Sequence, residues 1–265
     1  MLTTLLLGLG IGIILALTGA GGGILAVPAL VFGAHLSMAQ AGPVGLLAVG
    51  LAAALGAVLG LKAGTVRYRA ATLMAGAGIV CAPAGLWLAQ RSPNRPLSIA
   101  FALILLYVAW RGYRRTLPSA ASPEHHTLPP SCQTDAMRGR LIWTAPCARA
   151  LTMTGMVAGT LSGLLGVGGG FVMVPALQRY TDLRMQSVVA TSLAVIALVS
   201  ISGVTASAVA GHLQWAVALP FSAGAVVGML GGRALAARLA GPVLQRGFAL
   251  LSAAVAVAMI VKAAG

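Results

Sequence analysis

The chain has 265 residues, of which 59% are hydrophobic and 8% charged, with 35 glycines and a net charge of +14. Soluble domains carry roughly 25% charged and 45–50% apolar residues, so a chain this long and apolar has too little polar surface to cover a water-soluble globule. An ordinary cytosolic enzyme and a disordered chain are excluded, and a polytopic integral membrane protein remains, which the patterning of its runs makes all-α.

The apolar runs, in chain order, cover 2–33, 38–61, 70–90, 96–110, 150–178, 186–210, 216–237 and 243–261. Most supply the roughly 20 apolar residues that a membrane-spanning helix needs, with 96–110 on the short side. No alternation of period two suggests a barrel, and lipid cannot satisfy open backbone groups, so the runs are predicted to be helices. Residues 111–149 interrupt the pattern with Arg111, Arg114, Arg115, Glu124, Asp135, Arg138, Arg140 and four prolines between 118 and 130. This composition predicts a polar linker between two membrane halves, with boundaries at 1–115, 116–147 and 148–265. Cys132 and Cys147 lie in or beside the linker and Cys81 in an apolar run; no CxxC pair is present, and all three read as free thiols. His125 and His126 with Cys132 read as solvated linker, not as a metal cluster. Met1 leads straight into apolar residues without a basic stretch, so no cleavable signal peptide is expected.

The two halves repeat without a gap at an offset of 147 residues. Gly19–Gly23 falls on Gly166–Gly170, Val27–Leu30 on Val174–Leu177, Gly56 on Gly203 and Gly64 on Gly211. Duplicated halves with a site between them are a common plan for secondary transporters. Each half opens with an unusually long run that a glycine cluster splits, followed by Pro28 or Pro175. Glycine favours turns and proline removes a helix donor, so each run is either a kinked span or a re-entrant pair of short helices. If every run crosses once, the basic residues divide ten against seven between the two sides. If the first run of each half dips in and returns, they divide fourteen against three. The positive-inside rule favours the second arrangement: inverted repeats, a cytoplasmic linker and both termini periplasmic.

A glycine-rich turn beside a helix start exposes backbone N–H groups, and the helix dipole adds partial positive charge there. Two such turns near the midplane would bind an anion without a charged side chain. The expected substrate-binding residues are Thr18, Gly21, Gly22, Gly23, Ser162, Gly168, Gly169, Gly170, Thr191 and Ser192, with Pro28 and Pro175 shaping the breaks. The competing interpretation of the glycines is close helix packing, and the hydroxyls could equally bond carbonyls of their own helices. The only acids are Glu124, Asp135 and Asp182, none inside an apolar run. Proton and cation pathways usually carry intramembrane carboxylates, so their absence suits an anionic substrate. No Ser/His/Asp set, carboxylate pair or metal-ligand spacing accompanies the runs, so no enzyme, cofactor or metal is expected. The basic residues are scattered between apolar runs, and no nucleic-acid partner is expected.

The segments Gly19–Leu30 (GAGGGILAVPAL) and Gly166–Leu177 (GVGGGFVMVPAL), with Ala190–Leu193 (ATSL) after the second, resemble the sulfite exporter TauE/SafE family of membrane permeases. The resemblance covers nearly the whole chain outside 116–147. It implies a bacterial multi-pass inner-membrane permease for sulfite, sulfoacetate or related organosulfur anions, with the glycine and proline motifs and Thr191-Ser192 as its functional residues. The first half has Ala41–Gly45 (AGPVG) where that pattern would place a second ATS-type motif, which implies that the halves contribute unequally. Read together, these features predict a permease that moves a small anion by alternating access. Its expected partners are the lipid bilayer and the anion, with homo-oligomerisation left open. A non-transporting membrane scaffold and a passive anion channel are the competing functions.

Overall fold

A computed structural model describes residues 1–18, 22–114, 132, 143–211, 213–239 and 242–264. They form α1 (Leu2–Thr18), a 3-10 turn (Gly22–Leu25), α2 (Ala26–Gly33), α3 (Met38–Lys62), α4 (Tyr68–Arg91) and α5 (Asn94–Arg114). The second half forms α6 (Ala145–Leu165), α7 (Gly170–Tyr180), α8 (Met185–Val209), α9 (Trp215–Leu239) and α10 (Pro242–Ala264). The protein is a helical, polytopic membrane protein. Among the described residues, α3, α4, α8 and the Trp215–Ala234 part of α9 are long and apolar enough to cross a bilayer. At about 1.5 Å per residue, the 25 residues of α3 span roughly 37 Å.

Local chemistry sets the helix ends. Ser37 and Gln40 form a reciprocal capping box at the start of α3. The Thr144 hydroxyl accepts from the Cys147 N–H at the start of α6, which therefore begins five residues before the apolar run does. Gly166, at φ 68°, closes α6 with its N–H donating to the Ser162 carbonyl. The α5 helix likewise extends past the short run 96–110 to include Asn94 and Arg114.

Glycine contacts give the helix directions. Gly8 and Gly12 of α1 press on Phe221 and Ala225 of α9, so these two helices run parallel. In the same way Gly155, Gly159 and Gly163 of α6 press on Met74, Gly78 and Ala82 of α4. Small residues let backbones approach where lipid supplies no hydrophobic drive for association. The central pair, α3 and α8, is antiparallel: Gly60 meets Ala190, Gly56 meets Leu193 and Gly50 meets Ser200. Helices α5 and α10 pack together at the flank.

Neither long first run is a kinked span. The chain turns back after α1, placing Gly22 against the Leu15 backbone and Gly33 against the Leu7 side chain, so α2 is antiparallel to α1. After α6 it turns back again. Gly169 lies against Ala158, and the far end of α7 returns to the start of α6, where Cys132 touches both Thr181 and Cys147. The α1–α2 hairpin enters from the end bearing Met1, Ser37 and Arg91. The α6–α7 hairpin enters from the opposite end, which bears Lys62, Arg67, Arg69, Arg114, Arg149, Arg179 and Arg184.

Cys132 and Cys147 are not free thiols: they form a disulfide with a Cα–Cα distance of 4.9 Å, whereas Cys81 remains a half-buried thiol. Their separation of 15 residues matches no motif. The Cys132 N–H donates to the Tyr180 carbonyl at 2.9 Å, which holds Cys132 at the outer end of the hairpin beside Cys147. His125, His126, Glu124 and Asp135 lie outside the described residues.

Candidate functional site

The two glycine-rich breaks meet. A Cβ on Gly23 would lie 3.0 Å from Val49 Cγ1 and 3.1 Å from the Val167 carbonyl oxygen, which belongs to the other break. A Cβ on Gly168 would lie 2.7 Å from Ile196 Cγ2 and 3.5 Å from Val49 Cγ1. Val49 and Ile196 sit near the midpoints of α3 and α8 and are themselves related by the 147-residue offset. Val49 is 1% exposed, and Ile196 and Val167 are fully buried. The tips of hairpins entering from opposite ends thus converge at mid-depth against the central helix pair.

The return arms begin at these tips. Gly168 and Gly169 have φ of 73° and 66°, a left-handed conformation that costs an L-residue roughly 1–2 kcal/mol. The Gly169 carbonyl accepts from the Val172 and Met173 N–H groups, so the N–H groups of Gly168, Gly169, Gly170 and Phe171 lie ahead of the α7 ladder. The 3-10 turn at Gly22–Leu25 opens the other return arm. Each tip also carries a helix C-terminus, that of α1 or α6. The opposed dipoles partly cancel, so the positive potential left at the tips is that of individual N–H groups aimed inward. Pro28 is buried in α2 and Pro175 lies inside α7. Pro175 lacks the N–H that would serve the Phe171 carbonyl and so loosens α7 next to its tip, whereas Pro28 sits in the first turn of α2, where a proline is accommodated.

The predicted hydroxyls separate into distinct roles. Ser162 is fully buried with an unpartnered Oγ. It lies one turn beyond Ala158, on the α6 face that carries Gly169. Ser192 is fully buried one turn before Ile196, and its Oγ donates to the Val189 carbonyl at 2.8 Å. The Thr18 hydroxyl donates to the Ile14 carbonyl at 2.7 Å. Thr191 faces away from the tips: its Oγ1 accepts the Arg67 backbone N–H at 3.1 Å and pins the α3–α4 loop. Gly22 packs on the α1 backbone, and Gly170 is the buried first residue of α7. Gly21 lies outside the described residues.

Sequence reasoning missed Val49 and Ile196, whose apolar character carries no signal of a site. It also missed Ser200, 2% exposed with an unpartnered Oγ, which packs against Gly50 one turn beyond Ile196. Beside the second tip, toward the Met1 end, a cavity of about 20 Å³ is lined by Met38, Gly42, Pro43, Leu97 and Gly166. That is room for about one water and not for an oxyanion. Asp182, the one described acid, lies in the loop before α8, away from the tips.

The family model of the sulfite exporter TauE/SafE matches residues 4–259. A "Probable membrane transporter protein" of Xylella fastidiosa (strain Temecula1) is 27% identical over 259 residues, covering 94% of this chain and 91% of its own. The "Probable membrane transporter protein YunE" of Bacillus subtilis (strain 168) is 27% identical over 232 residues, covering 84% of this chain and 83% of its own. No solved structure matches the chain.

Proposed function

The chain belongs to the sulfite exporter TauE/SafE family, a family of membrane transporters, and from that premise we propose that it carries a small anion across the bacterial inner membrane by alternating access. The substrate class is sulfite, a sulfonate or a related organosulfur anion. The observation that carries this reading is the meeting of Gly23 with Val167, and of both breaks with Val49, at the middle of α3 and α8. Backbone N–H groups of Gly22, Gly23 and Gly168–Gly170 donate to the oxyanion, the Ser162 hydroxyl adds a donor, and Ser192 stands one turn away. Thr191 acts as a positioning residue through Arg67.

The two halves act as inverted repeats, and rocking one hairpin unit against the other exposes the tips to each side in turn. The basic end faces the cytoplasm by the positive-inside rule, so both termini face the periplasm. The experiment is flux in proteoliposomes. Saturable uptake of sulfite, inhibited by sulfonates, supports the reading. Non-saturable flux would make the protein a channel, and no flux of any small anion would leave a scaffold.

A further inference from the structure

We propose that Cys132 and Cys147 are a reversible thiol–disulfide modification site, a clip that fastens Cys132 to the open end of the α6–α7 hairpin and slows transport when closed. The inference rests on the proposed reading in two respects: the basic end is cytoplasmic, and the hairpin belongs to the transport machinery. Cys147 lies on the first turn of α6, and Thr181 caps the last turn of α7. Cys132 joins both, by the disulfide to Cys147 and by its N–H to the Tyr180 carbonyl, in a parallel bridge with Thr181. The two cysteines are fully buried in one apolar cluster with Leu151, Met173 and Leu177, which come from both arms of the hairpin. A single linker residue therefore ties together the outer ends of the two helices whose inner ends form the tip.

Its redox setting makes this more than a structural cross-link. Disulfides persist in oxidising compartments and are rare in the cytosol, where those that occur are usually transient. The pair sits at the end rich in Arg67, Arg69, Arg149, Arg179 and Arg184, the cytoplasmic end by charge. A bond at this place is consequently made and broken by exchange with the cellular thiol pool. To close, the Cys147 thiolate attacks a low-molecular-weight disulfide such as glutathione disulfide and releases one glutathione thiolate. The Cys132 thiolate then attacks the Cys147 sulfur of the mixed disulfide, forms the Cys132–Cys147 bond and releases the second glutathione. Two protein thiols are oxidised, one glutathione disulfide is reduced to two glutathione thiols, and the two protons given up by the cysteines end on the two glutathione sulfurs. Reduced glutathione reverses both steps when local opening exposes the buried sulfurs.

The test uses the full chain with a site-specific protease sequence inserted after Arg138, between the two cysteines. After incubation in glutathione disulfide and cleavage, the two parts stay joined on a non-reducing gel and separate in dithiothreitol. C132S and C147S separate in both, and C81S behaves as wild type. In growing cells trapped with N-ethylmaleimide the parts separate, and brief diamide treatment joins them. Parts that separate in glutathione disulfide, or that stay joined in untreated cells, overturn the proposal. In proteoliposomes, the ratio of reduced to oxidised sulfite flux exceeds unity for wild type and equals unity for C132S. Equal wild-type flux in both states overturns the gating role. Absence of flux from wild type and C132S in either state overturns the permease reading and the gating role with it, while the gel independently decides the reversible site.

Discussion

Gly23 lies so close to the Val167 carbonyl oxygen that a Cβ would stand 3.1 Å from it, although the two residues belong to hairpins that enter from opposite ends of the molecule. At this contact the two halves of the chain meet at mid-depth, where the proposed binding site lies. The positions around it therefore separate transport from folding.

At Gly168 the positive φ and the Ile196 side chain 2.7 Å from a would-be Cβ leave no room for a substituent. Gly168→Leu is expected to abolish sulfite flux while the protein still reaches the membrane. Gly10→Ala and Gly76→Ala face open space and leave flux unchanged. Membrane fractionation with flux checks this, and full transport by Gly168→Leu would refute the tip as the site.

Ser162→Ala removes a buried, unpartnered hydroxyl. Thermal stability is expected to stay level or rise, because no hydrogen bond within the protein is lost. A hydrogen bond to a charged group contributes about 1.5–3 kcal/mol, so the KM for sulfite should rise roughly tenfold or more. Ser222→Ala, another buried unpartnered hydroxyl but on α9, should leave KM unchanged.

Thr191→Val takes the acceptor from the Arg67 N–H. An unsatisfied backbone donor there costs about 1–3 kcal/mol, which should lower the Tm, and Thr191→Ser should restore it. If KM rises at unchanged Tm, Thr191 instead touches the substrate.

Fusions at the C-terminus report the orientation. The hairpin path puts Lys262, whose Nζ donates to the Val31 carbonyl at 3.3 Å, at the same end as Ser37 and Arg91. Alkaline phosphatase fused after Gly265 should be active and a fused green fluorescent protein dark. The reverse pattern would place the basic end outside, against the positive-inside reading.

Composition determined that this chain lives in lipid, because 8% charged residues cannot cover a soluble globule, and the absence of period-two alternation in its apolar runs made them helices. The duplicated glycine and proline motifs marked where helices break, because those residues lack the Cβ or the N–H that a regular helix uses. Charge placement favoured re-entrant hairpins, since basic residues resist translocation wherever they occur along the chain. Folding decided the rest. Which hydroxyl is unpartnered at Ser162 and which is committed to a loop at Thr191 depends on neighbours far away in sequence, Arg67 among them. Apolar Val49 and Ile196 line the proposed site only because two hairpin tips arrive there. Cys132 and Cys147 become partners only because Cys132 lies against the end of α7, and no spacing rule encodes that contact.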